Sequence, residues 1–133
     1  MPRFSSHHSV AIAIALLVVI SLGACSGTGE TREPGADRIR VTYRCSDRQI
    51  IRVLYDYTTP SAPVARVVVK GQTFEMRSVR SQPGSARYST ESGLREGHGL
   101  QWWTRGNQAT LSEMPIGQSG AEPVRIASCV ISR

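Results

Sequence analysis

Past its first two dozen residues this chain has one histidine, His98, and one lysine, Lys70. A single histidine leaves no Ser–His–Asp set, and no carboxylate pair or cysteine pair stands at a spacing that acid–base chemistry or a metal would use. An enzyme is therefore not expected, nor a metal centre, nor a cofactor. A long helical period and internal repeats are also missing, which excludes bundles and solenoids. No apolar run is long enough for a membrane helix, which takes about 20 residues. Nor is there a block of like charge. The 16 basic and 10 acidic residues give a net charge of +6, spread along the chain. Spread charge is the mark of a solvated surface, and nucleic acid is not expected as a partner.

What is present begins at the N-terminus. Arg3 precedes an apolar run over residues 10–20, and Leu22-Gly23-Ala24-Cys25 follows. A basic start, an apolar middle and small residues at the end make a secretory signal. The last four residues resemble the bacterial lipobox, in which the cysteine thiol takes a diacylglycerol and the chain is cut before it. Residues 1–24 are thus expected to be a signal peptide and Cys25 the lipidated first residue of an envelope lipoprotein of a Gram-negative cell. Several acyl chains on one cysteine anchor a protein firmly where one does so marginally. Ser26, in place of the aspartate common in lipoproteins kept at the inner membrane, points to the outer membrane, with the domain facing the periplasm.

Cleavage leaves 133 − 24 = 109 residues, enough for one small domain. It carries 15 basic and 10 acidic residues, a formal +5. Cys45 and Cys129 remain, one near each end, and in an oxidising compartment they read as a disulfide. Closing that loop stabilises by roughly 4 kcal/mol in the chain-entropy model.

Residues 25–37 hold the lipidated cysteine and a stretch rich in Gly, Ser, Thr, Glu and Pro without apolar period, read as a flexible tether. From residue 38 to 133 the pattern has period two. Ile39, Val41, Tyr43 and Cys45 share one face of a strand, with arginines and Thr42 on the other. Further strands are expected over residues 51–57, 64–69, 72–76, 86–89, 100–104, 108–113 and 124–132. Short turns join them, among them Lys70-Gly71 and Arg105-Gly106-Asn107. Seven to eight short strands without a helix make a sandwich or a barrel. A disulfide from first strand to last favours an all-β, small antiparallel barrel, because those strands are then neighbours and no edge is left bare.

Several of these segments resemble the MliC family, the membrane-bound inhibitors of C-type lysozyme. Tyr43-Arg44-Cys45 is similar to the family's opening Tyr-x-Cys, and Val53 and Tyr55 to the apolar positions of its second strand. Gly84-Ser85-Ala86-Arg87-Tyr88 resembles its Ser-Gly-x-[Lys/Arg]-Tyr loop. Trp102-Trp103-Thr104-Arg105-Gly106 with Ala109-Thr110-Leu111 resembles Trp-x-Lys-Gly-x-x-Ala-x-Leu, and Cys129 the closing cysteine. The resemblance implies a barrel that inserts one face into the cleft of a C-type lysozyme, a loop serine and a hairpin cation reaching its catalytic carboxylates. Carried over residue by residue, the lysozyme-binding set is Ser85, Arg105, Gly84, Tyr88 and Thr104. Two positions depart from the pattern. The family's serine falls on Gly84 and its glycine on Ser85, and its lysine is Arg105.

Each of these residues also has an ordinary structural use. A serine satisfies backbone groups in turns, and an arginine at a hairpin tip is commonly solvated. Arg87 and Tyr88 pin the loop in this reading, with Tyr88 as a candidate rim contact. Alternation puts one of Trp102 and Trp103 inside and the other outside. C-type lysozymes are generally basic, so a +5 domain has to rely on local complementarity more than on long-range steering. The competing expectation is a non-catalytic structural lipoprotein that holds peptidoglycan or another envelope partner.

Overall fold

The computed structural model describes residues 30–32, 37–79 and 82–132. The expected signal peptide, Cys25 and most of the expected tether lie outside these residues. Nine strands follow in order: β1 (Glu30–Arg32), β2 (Arg38–Cys45), β3 (Ile50–Asp56), β4 (Val64–Val69), β5 (Gln72–Ser78), β6 (Ser85–Thr90), β7 (His98–Arg105), β8 (Gln108–Pro115) and β9 (Val124–Ile131). Each pairs antiparallel with the next, and β9 returns to pair with β2. Strands β2–β9 thus form a closed eight-stranded barrel. No helix occurs among the described residues.

Closure is shared along one edge of β2. Its C-terminal half, Tyr43–Cys45, pairs with β9, while its N-terminal half, Ile39–Val41, pairs with β1. Residues 30–32, inside the segment expected to be a tether, therefore cover backbone groups that β9 does not reach. An uncovered edge is a template for unwanted pairing, which such a strand removes. Cys45 and Cys129 stand directly opposite each other on β2 and β9 and are joined by a disulfide.

The alternation read from the sequence is the alternation of burial. Val41, Tyr43, Ile51, Val53, Tyr55, Val67, Met76, Tyr88, Leu100, Trp102 and Leu111 point inward and are all buried. Each aliphatic side chain so buried contributes roughly 1.5–3 kcal/mol before entropy is counted. Trp102 lies at the centre, fully buried, edge-on to Tyr43 at 5.0 Å between ring centroids. An indole N–H in such a place needs an acceptor. It donates to the Tyr55 hydroxyl at 2.8 Å, and that hydroxyl bonds the Tyr43 hydroxyl at 2.9 Å. Burial, with Tyr43 alongside, pushes the Tyr55 phenol far above its ordinary value.

Two carboxylates are buried despite their charge. Asp56 is only 8% exposed. Thr58 binds it through both hydroxyl and backbone N–H, and Arg38 donates to it at 3.0 Å. These bonds, the Thr58 pair foremost, lower its pKa from 3.8 to about 2. Glu113 turns into the opposite mouth of the barrel, where Arg95 reaches over from the β6–β7 loop and bonds it at 2.6 Å. That hydrogen bond holds the Glu113 carboxyl below its usual range. Nearby, β9 carries a bulge opposite Leu111 and Ser112, with Ile126 as the extra residue.

Candidate functional site

Two turns meet at one end of the barrel. The first joins β5 to β6 through Gln82-Pro83-Gly84-Ser85, with the Ser85 N–H donating to the Gln82 carbonyl at 2.9 Å. Proline at the second position fixes its own φ, and Gly84 at the third has φ +76°. That is a type II turn, which requires the left-handed region at its third residue and so selects glycine there. The second turn joins β7 to β8 through Gly106 and Asn107. Gly106 has φ +59° and Asn107 does not share the positive region, the arrangement of a II′ hairpin. The Gly106 N–H donates to the Gly84 carbonyl at 3.3 Å, tying the two turns together. Asn107 is held in its turn by the Ile131 N–H, which donates to its carbonyl at 2.9 Å.

This junction brings Ser85 and Arg105 together. They are direct partners in the β6–β7 register, followed by Ala86 with Thr104, Arg87 with Trp103, and Tyr88 with Trp102. Alternation puts Ser85, Arg87, Trp103 and Arg105 on the outer face. Arg105 is exposed and has no ion pair among the described residues. Trp103 is 39% exposed, and the Arg87 guanidinium lies 5.2 Å from its ring centroid. That cation–π contact holds a long side chain flat along the sheet. A shallow depression of about 180 Å³ adjoins them, lined by Trp103, Arg105, Gln108, Ala109 and Thr110. Across β8, Gln108 faces Arg105 and Thr110 faces Trp103. No carboxylate lies among these outward residues, so the edge is a donor-rich, positively charged surface.

The other sequence candidates sit differently. Gly84 shapes the turn and adds only backbone to the surface. Thr104 faces the barrel end half-buried, its hydroxyl donating to the Ala86 carbonyl at 3.3 Å. Tyr88 is 1% exposed, packed against Tyr55 and within 3.5 Å of the Tyr57 hydroxyl. Its side chain belongs to the core and is not at a rim; it holds β6 in place from inside. Arg87, expected to pin the loop, lies on the surface against Trp103, which is the outward member of the Trp102-Trp103 pair. Among the described residues no group of three potential metal ligands comes together.

Comparison with known proteins adds to this geometry. The profile of the family described as membrane-bound lysozyme-inhibitor of c-type lysozyme matches residues 43–114. A protein of Cupriavidus necator named membrane-bound lysozyme inhibitor of C-type lysozyme is 31% identical over 127 residues, covering 91% of each chain. The chain belongs to the membrane-bound C-type lysozyme inhibitor family. The family's matched region runs from the β2 end of the barrel through β8, and so contains both turns of the Ser85–Arg105 edge. The structure also shows why glycine stands at position 84 and the hydroxyl at 85. With Pro83 at the second turn position, a serine at 84 has to adopt φ near +76°, a conformation side chains with a Cβ resist. Placing the hydroxyl one residue later puts it on the first residue of β6, opposite Arg105.

Proposed function

We propose that this protein is a stoichiometric, non-catalytic inhibitor of a C-type lysozyme, acting from a lipid anchor at Cys25 in the outer membrane and guarding the peptidoglycan on its periplasmic side. The observation that carries the reading is the pairing of Ser85 with Arg105 at a tied double turn, in a chain of the inhibitor family. The chemistry follows from what the target needs. A retaining glycosidase works with one protonated carboxyl and one carboxylate about 5 Å apart. A guanidinium hydrogen-bonded to that pair favours ionisation of both, and the general acid is lost. Arginine supplies this through two parallel N–H donors, a geometry an ammonium lacks. The Ser85 hydroxyl offers a further donor to the same carboxylates. The two turns and Trp103 then fill the cleft where sugar rings would bind.

The test is inhibition of cell-wall lysis by variants whose fold is checked by circular dichroism. Arg105→Glu puts a carboxylate against carboxylates and is expected to abolish inhibition while the barrel stays folded. Ser85→Ala is expected to weaken it more mildly. Full inhibition by a folded Arg105→Glu variant would remove Arg105 from the mechanism.

A further inference from the structure

The opposite side of the barrel carries charge that the Ser85–Arg105 edge does not use. On the outer face of β2–β5 stand Arg38, Arg40, Arg44, Arg52, Arg66 and Arg77, and the same four strands carry the acids Asp56 and Glu75. Six guanidinium groups against two carboxylates leave this wall at a formal +4. The two acids are already engaged. Asp56 binds Arg38 and lies 3.5 Å from Arg66, and Glu75 lies 3.3 Å from Arg66. Arg44, Arg52 and Arg77 are exposed and have no ion pair among the described residues. Between the arginines stand Ile50, Leu54, Val64 and Val68, with Thr42 and Thr73. Leu54 and Val68 line a groove of about 430 Å³ with Arg40, Arg52 and Arg66 around it.

We infer that this wall is a second membrane contact that lies against anionic lipid headgroups. Three observations point to a lipid surface. The positive charge is spread across four strands, with Arg38, Arg44 and Arg77 standing outside the groove, which suits a plane of phosphates. Guanidinium groups bind phosphate oxygens through paired N–H donors, and aliphatic side chains between them suit the headgroup boundary. The first strand also lies on this side. β1 lies along the β2 edge of the wall, and Cys25 is five residues before Glu30. Five extended residues reach about 17 Å. An acylated Cys25 therefore keeps the wall within one short tether of the bilayer, and a lipid chain plus a basic patch makes the two-signal anchor that holds a protein stably. The Ser85–Arg105 edge lies on β6 and β7, across the barrel from β3, so a bilayer on the arginine wall turns that edge outward. The orientation rests on the lipid-anchor reading; the affinity of the wall for lipid does not.

The experiment uses the chain from Ser26 onward, which contains the whole barrel and β1 but no acylation site. It is sedimented with vesicles of phosphatidylcholine alone and of phosphatidylcholine with phosphatidylglycerol. Binding is expected to the anionic vesicles only, and to fall with added salt. Arg44→Gln, Arg52→Gln and Arg77→Gln together are expected to weaken it by at least about tenfold. Arg105→Gln, on the far side, is expected to leave it unchanged. Absence of vesicle binding at low salt, or equal binding by the triple variant, overturns the inference, as does charge-dependent binding to cell-wall sacculi in its place. Incorporation of labelled palmitate into the full chain, lost in Cys25→Ser, tests the anchor separately.

Discussion

The hydroxyl of Tyr55 is the polar hinge of the core, and replacing it with hydrogen tests how that core is held. In Tyr55→Phe the ring stays, so no cavity of consequence opens. What is lost is the acceptor for Trp102 Nε1 at 2.8 Å and the partner of the Tyr43 hydroxyl at 2.9 Å. Trp102 is fully buried, so its N–H finds no water, and an orphaned buried donor costs about 1–3 kcal/mol. The lost hydroxyl–hydroxyl bond adds about 1 kcal/mol. The sum is about 2–4 kcal/mol, a fall in melting temperature on the order of 10–20 °C for a domain of this size. Tyr43→Phe leaves the indole bond intact and is expected to cost only about 1 kcal/mol. Urea unfolding of the oxidised domain, followed by tryptophan fluorescence, measures both. Equal slopes with shifted midpoints report stability alone. A loss under about 0.5 kcal/mol in Tyr55→Phe, or a larger loss in Tyr43→Phe, refutes the assignment of Tyr55 as the shared partner.

Other expectations follow from the same geometry. Replacing Cys45 and Cys129 by alanine releases a loop of 84 residues and is expected to cost about 4–5 kcal/mol in urea unfolding. Asp56 has a folded pKa of about 2 against an ordinary value of 3.8. Its contribution is full above the unfolded value and is lost as pH falls toward about 2. Melting temperatures of wild type are therefore expected to drop between pH 4 and pH 2 by more than those of Asp56→Asn; parallel curves would contradict this. Gly84→Ala meets no atom within 4 Å but must hold φ near +76°. It is expected to cost about 1–2 kcal/mol from backbone strain alone, measured by thermal unfolding, and to loosen the tie from Gly106 to Gly84.

Much of the barrel was legible because each wall of it is buried on one side only. Ile39, Val41 and Tyr43 alternate with arginines, and the β2 register carries that alternation onto β3 and β9. Turn chemistry was equally readable. Lys70-Gly71 forms a tight turn with both residues at positive φ. The parts that were not legible depend on neighbours distant in sequence. Asp56 and Glu113 are polar at positions that end up buried, and only the fold brings Arg38 and Arg95 to them. Residues 30–32 carry no apolar period because they pair along an edge through backbone groups. At the candidate site, the adjacency of Ser85 and Arg105 needed the β6–β7 register, which no motif states. Tyr88, expected to pin the loop and a candidate rim contact, points inward because it sits one residue out of phase with Arg87.

The measurement closest to the central claim is a titration of C-type lysozymes of differing charge with the domain beginning at Ser26, following lysis of cell-wall suspensions. Activity of at least one of these lysozymes is expected to fall linearly to zero at one equivalent of domain, and Arg105→Glu is expected to leave the same lysozyme fully active. Undiminished lysis by every lysozyme tried, with the domain shown to be folded and its disulfide intact, would contradict it.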